Sequence, residues 1–258
     1  NNHCRDDFGD IRFTKSDGET LLDYWIEEYT SGDKATFWVE VNSIPASPNT
    51  TTIYIYYGKS DATTISNGGA TFIDFDDFEY TDSIENHGWT IKKSASGSLQ
   101  TVTSPSRIGS RSLRFEDNDT ASGWVIYRTF PAQTRCLIHI FMRAEQRNSN
   151  LCLDFKQNSE APTFAYINLA SAGYIAYKNR AGSLVNIQSY SAGTWYRIEA
   201  VLNTDTDKYE KILIDGVEKV TNEDSYNPAD SLGFLGIWSA GNPQTGTTYI
   251  DGYYICLL

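Results

Sequence analysis

No apolar run in this chain approaches the ~20 residues that a membrane-crossing helix needs. Almost no stretch keeps a helical period. Basic residues are few beside acidic ones, 21 Lys and Arg against 33 Asp and Glu, for a formal charge of -12. No basic stripe is visible, which argues against a nucleic-acid partner, because phosphate binding demands one. The four cysteines (Cys4, Cys136, Cys152, Cys256) form no C-x-x-C pair, which argues against a zinc site. No G-x-S-x-G elbow is present, so a serine hydrolase has nothing to rest on. Methionine occurs once.

What the chain has in quantity is aromatics, with 17 Tyr and 6 Trp among 258 residues. That bias suits pleated sheets and extracellular recognition surfaces, and the length suits two sandwiches. The acidity fits neutral glycans or divalent cations, and equally a solvated surface. No leader precedes Asn1 and both ends read as cut, so the chain is expected to be a piece of a larger secreted or surface protein.

The strand signals are dense. Asp215-Gly216 joins two alternating runs, the strongest short-range sign of a hairpin. Upstream, Tyr196, Ile198, Ala200 and Leu202 share one face, with Trp195, Arg197, Glu199 and Val201 on the other. Short strands are predicted at near-regular spacing from Ser112–Glu116 to Thr247–Leu258, with at most one helical turn near Asn227–Leu232. Residues 10–14, 21–29, 35–41 and 51–57 read as four strands of a first domain, and the small, polar Ser60–Ala70 as the linker. Cys136 opens one strand and Cys256 ends the last, so the two either bridge or stay as buried thiols.

Two resemblances sharpen this. The strings D-I-R-F-T-x-S-D-G-x-x-L-L-x-Y-W-I-E, A-x-F-W-V-x-V-x-x-I-P and T-T-I-Y-I-Y-Y-G resemble the DUF2341 domain, an extracellular β-module of unknown function, over about residues 5–68. In that family further strands usually come first, which implies an N-terminally incomplete module, and a laminin-G-like domain often follows. The order W-Y-R-hydrophobic-E, polar loop, D-G hairpin and closing Y-I-D strand is similar to laminin-G and concanavalin A-like jelly rolls, over about residues 70–258. The expected fold class is therefore all-β, with two antiparallel β-sandwich domains, 1–68 and 69–258, the second a concanavalin A-like jelly roll.

Chemistry has three candidate places. The first is the acidic run Asp74, Asp76, Asp77 and Glu79. Adjacent carboxylates in a strand cannot both face a core, so the ladder bulges, a cation binds, or the acids are solvated at an edge. The jelly-roll resemblance implies a structural Ca²⁺ shared by Asp76, Asp77 and Asp251. The second is a hydrolytic pair, two carboxylates ~5–9.5 Å apart on one face. The E-x-D-x-x-E string of laminarinase-type jelly rolls is absent, and Asp117 and Asp119 sit in a turn. His139 is the lone base candidate, more often a satisfied core residue than a catalyst. The third is a glycan platform. Trp124, Tyr127, Tyr166, Tyr177 and Trp238 lie on strands or at their ends, and parity sends His139 and Asp154 away from their aliphatic neighbours. His139, Asp154 and Arg197 with one or two tryptophans would bind sugar; otherwise these aromatics are core or plain β propensity.

The expected function is a non-catalytic extracellular module that binds carbohydrate or another cell-surface polymer. The alternative is a structural subunit of a surface layer or filament, self-associating by strand donation through its first domain. A glycan-cleaving enzyme is the third reading.

Overall fold

At Asp215 and Gly216 φ is 53° and 78°, so Ile214 and Val217 close the tight two-residue hairpin that the sequence predicts. The computed structural model that shows this describes residues 3–118, 120, 122–239 and 245–258. The chain divides into two units, residues 1–73 and 74–258.

Unit one carries β1 (Arg12–Thr14), β2 (Leu21–Leu22), β3 (Tyr24–Thr30), β4 (Lys34–Val39), β5 (Tyr54–Tyr56) and one helical turn, α1 (Gly68–Thr71). The single strand expected over residues 21–29 breaks at Asp23. Its first half joins the sheet β2-β1-β5 and its second half pairs with β4. That break lets two small sheets share the apolar residues that one sheet could not cover. Ile11, Phe13, Leu22 and Tyr24 are buried together, with Phe37 packed edge-on to Phe13 at 5.5 Å. Foreign or inter-domain surface was expected over Trp25 and Trp38. Within the unit, Phe72 meets both rings at 5.7 and 6.0 Å.

Unit two begins with β6 (Asp74–Asp76), a 3-10 turn at Ile84–His87, β7 (Thr90–Lys93), β8 (Gly97–Val102) and β9 (Ser112–Asp117). Next come β10 (Val125–Gln133), β11 (Arg135–Ala144), β12 (Leu151–Lys156), β13 (Ala165–Ala170), β14 (Tyr174–Lys178) and β15 (Leu184–Ser189). The last five are β16 (Trp195–Asn203), β17 (Lys208–Ile214), β18 (Val217–Asp224), β19 (Leu232–Ser239) and β20 (Gly246–Leu257). Residues 90–102, where the sequence predicted no strand, include β7 and β8, and 227–232 makes no helical turn.

The strands form two antiparallel sheets of a jelly roll. One runs β15-β14-β13-β12-β19-β10-β7, the other β18-β17-β16-β11-β20-β9-β8 with β6 added on β20. Fully buried Ile126, Leu153, Ile167, Leu235 and Ile237 come from the first; Ile138, Ile140, Met142, Leu202 and Ile250 come from the second. Polar cross-links join the sheets. Arg128 on β10 holds Asp74 Oδ1 at 2.6 Å and Asp76 Oδ2 at 3.4 Å, while Tyr209 on β17 donates to the Lys178 carbonyl at 3.0 Å.

All four cysteines are free thiols. Cys136 lies opposite Leu257, and Cys256 opposite Leu137. Strand alternation therefore points Cys136 and Cys256 to opposite faces of the sheet.

Candidate functional site

The outer face of the seven-stranded sheet is not apolar like its inner one. Strand register sets three rows across it. Tyr127, Gly236, Asp154 and Tyr166 are aligned on β10, β19, β12 and β13. Val125, Trp238, Cys152 and Asn168 make the row on one side, and Thr129, Phe234 and Lys156 the row on the other. At the centre stands a glycine. Above it opens a pocket of about 330 Å³ whose lining includes Tyr127, Asp154, Lys156, Phe234, Gly236 and Trp238, at the small end of ligand pockets.

Gly236 makes this pocket by having no side chain. A Cβ there would stand 3.4 Å from Trp238 Nε1, 3.5 Å from Phe234 and 3.6 Å from Asp154. Phe234 stacks on Tyr127 at 5.1 Å between centroids, 23° from parallel, and forms one wall. Trp238 forms the other, 36% exposed, its ring edge-on to Tyr166 at 6.2 Å. Tyr166 is fixed in turn by Lys178 Nζ over its face at 4.6 Å and by a 2.8 Å contact with Cys152 Sγ.

Asp154 is 2% exposed. Its Oδ2 takes an ion pair from Lys156 at 3.2 Å, while Oδ1 has no partner at bonding distance. Burial pushes its pKa above the usual carboxylate range, against the Thr163 hydroxyl and the charges of Lys156 and Lys178, which favour ionisation. A buried acceptor with an open lone pair beside a half-exposed indole is suited to a ligand hydroxyl.

The sequence proposed six binding residues, and the structure brings three of them together here: Tyr127, Asp154 and Trp238. Trp124 is the neighbour of Val125 and alternation turns it inward; it is buried and donates Nε1–H to the Glu116 carbonyl at 2.9 Å. His139 and Arg197 are on the other sheet. His139 is 0% exposed, stacked on Tyr254 at 4.1 Å, with its Nδ1 2.8 Å from the Tyr254 hydroxyl and 3.7 Å from Glu199. Arg197 pairs with Glu199 at 3.2 Å. The single platform joining His139, Asp154 and Arg197 is thus split between two sheets. Asp117 is buried and accepts from Ser239 Oγ at 3.1 Å; Asp119 lies outside the described residues.

Sequence reasoning missed Gly236, Phe234 and Lys156. The signal for Gly236 was present, since a glycine inside a strand marks a close approach or a missing side chain by design.

Asp76, Asp77 and Asp251, the expected calcium ligands, each hold separate protein partners. Asp76 is saturated: Oδ1 accepts from Phe78 N at 2.8 Å, and Oδ2 from Trp89 Nε1, Tyr80 OH and Arg128. Asp77 leaves the ladder because Phe78 turns left-handed, φ 57°, and it accepts from Glu79 N. Asp251 Oδ2 accepts from Arg107 N and Ile108 N at 2.6 and 3.0 Å, while its buried Oδ1 has no partner. Glu79 grips the same loop, accepting from Ser110 N and Arg111 N, both at 2.7 Å. Among the described residues no three His, Cys, Asp or Glu side chains gather as a metal site.

Comparison with known proteins gives two family matches. Residues 7–92 match the domain of unknown function DUF2341, reaching past the 5–68 expected and into β7. Residues 98–235, more than half of the chain, match "Sialidase-like, CBM domain". No curated protein matches. Among solved structures, a sialidase superposes with a TM-score of 0.61 at 18% identity over 71% of this chain, which spans only 18% of the sialidase. Cellulose induced protein Cip1 follows with 0.54, 15% identity, 71% of this chain and 96% of Cip1. A carbohydrate esterase from Shiga toxin-encoding bacteriophage phi24B gives 0.51, 13% identity, 70% of this chain and 98% of the esterase. At such identities the likeness speaks for the fold alone.

Proposed function

Because the chain belongs to the Sialidase-like, CBM domain family, we propose that unit two binds carbohydrate on the outer face of its seven-stranded sheet, over Gly236. One observation carries this reading. The half-exposed Trp238 ring, the Tyr127–Phe234 stack and the carboxylate-bearing Asp154 line one pocket with a bare backbone floor. A sugar presents C–H faces to the rings, and its hydroxyls can donate to the Asp154 carboxylate beside Lys156.

The module works without cleaving its ligand, as part of a larger extracellular or surface protein. What supports this is that Asp154 is the lone carboxylate lining the pocket among the described residues, whereas glycoside hydrolysis needs two. A glycan array with the full chain tests the proposal. Binding should be lost on Trp238→Ala, and on Gly236→Val, which fills the floor. An array with no hits, or binding that survives both substitutions, sinks it. Release of reducing ends from any bound polysaccharide would move the reading to the enzyme.

Calcium enters this proposal at Asp251, whose buried Oδ1 has no protein partner. Chelation should then lower the melting temperature of the wild type by mass action and leave Asp251→Asn indifferent. Equal melts with and without EDTA in the wild type remove calcium from the account.

A further inference from the structure

The rim of the Gly236 pocket has a charge opposite to that of the rest of the molecule. Its lining includes Lys92, Lys93 and Lys156, against the single carboxylate Asp154, in a chain whose formal charge is -12. Lys156 is already engaged by Asp154. Lys92 and Lys93 are exposed and pair with no carboxylate among the described residues.

Consecutive residues in a regular strand point to opposite faces. Here they do not, for an identifiable reason. On β10, Ile126 lies opposite Ile91 and Val125 opposite Lys93, so Lys92 is an extra residue in the ladder. Such a bulge re-aims side chains, and bulges gather at sheet edges beside functional sites. β7 is the edge strand, and its bulge brings both ammonium groups to the rim beside Val125 and Tyr127.

Two unpaired cations on one rim are like charges held close together, at some cost to the fold unless an anion sits between them. The acidic remainder of the surface repels polyanions, so a general affinity for them is disfavoured and this rim is where one can dock.

We propose that the carbohydrate bound over Gly236 is acidic, its carboxylate or sulfate held by Lys92 and Lys93 while Trp238 and Asp154 take the ring and a hydroxyl. This rests on the glycan-binding reading and narrows it. Lysine is a point charge without the planar fork of arginine, so it accepts either anion, and the choice between carboxylate and sulfate falls to experiment.

The test uses the full chain in affinity electrophoresis against matched polymers: polygalacturonate, polysialic acid and hyaluronate with their carboxyl-reduced forms, and chondroitin sulfate with its desulfated form. Binding to an acidic member should weaken about tenfold or more when the charge is removed, and should fall steeply between low and high salt. Lys92→Gln/Lys93→Gln, at exposed positions, should lose the same factor while keeping the wild-type melting temperature. Preference for carboxylated or sulfated members identifies the anion. Equal binding to charged and neutral partners, with the lysine variant unaffected, overturns the acidic-ligand proposal and leaves the glycan reading standing. Binding to no member, charged or neutral, overturns both.

Discussion

Arg128 holds two carboxylates of the opposite sheet and lies over two rings, Trp89 at 5.0 Å and Tyr253 at 5.6 Å. Its side chain is 10% exposed. Arg128→Leu would leave Asp74 and Asp76 buried without a counter-charge, and should cost about 3–5 kcal/mol in urea unfolding. A loss below about 1 kcal/mol would show the pair to be dispensable. Asp251 gives a test by pH. Burial raises its pKa to about 7, from an ordinary value near 4. The folded state therefore holds its proton more tightly than the unfolded one. The resulting stability is complete below about pH 4 and is lost as pH rises through about 7. In EDTA, the wild-type melting temperature should fall across that window, and Asp251→Asn should flatten the fall. Parallel curves for the two proteins would refute this origin. At this scale the sequence was only partly legible. Asp154 and Trp238 could be picked by type and strand parity. Nothing in the sequence places Arg128 against Asp74, because a salt bridge between sheets depends on how the sheets pack. His139 shows the converse: its parity was readable, but the burial given by Tyr254 was not.

Among the elements, β5 is the most exposed. It is an edge strand paired to β1 alone, and Tyr54, Ile55 and Tyr56 are each roughly half exposed. A bare apolar edge invites strand pairing. The full chain should therefore self-associate as concentration rises, and Ile55→Lys, a charge on that edge, should return it to monomer by sedimentation. If the wild type stays monomeric throughout, the edge is not a docking strand. The strands of unit two beyond residue 112 were legible within a few residues at each end, since alternation and turn residues mark them. β7 and β8 were not, because Thr90-Ile-Lys-Lys and Gly97-Ser-Leu-Gln-Thr-Val carry too few apolar residues to alternate visibly. That gap also hid the lysines of the pocket rim. In unit one the break at Asp23 was unreadable, for apolar residues flank it on both sides and no Gly or Pro marks a turn.

For the whole molecule, the chain divides into two units, and the first has a buried apolar cluster of its own at Ile11, Phe13, Leu22 and Tyr24. A fragment of residues 74–258 should fold alone, with a cooperative melt, and should bind whatever glycan the full chain binds with unchanged affinity. A fragment that folds but binds at least tenfold more weakly would assign part of the site to unit one. Gly236 has one consequence at this scale. The base of the pocket is main chain in a middle strand of a seven-stranded sheet, hydrogen-bonded to β10 and β12, and it has no rotamers to arrest. A sugar landing there loses its own freedom but freezes little of the protein's, so the entropic penalty measured calorimetrically should be small for the affinity. The same rigidity makes residue 236 a depth gauge. Ala adds one carbon layer to the base and Val a second, so a series Gly, Ala, Val at this one position would grade ligands by thickness.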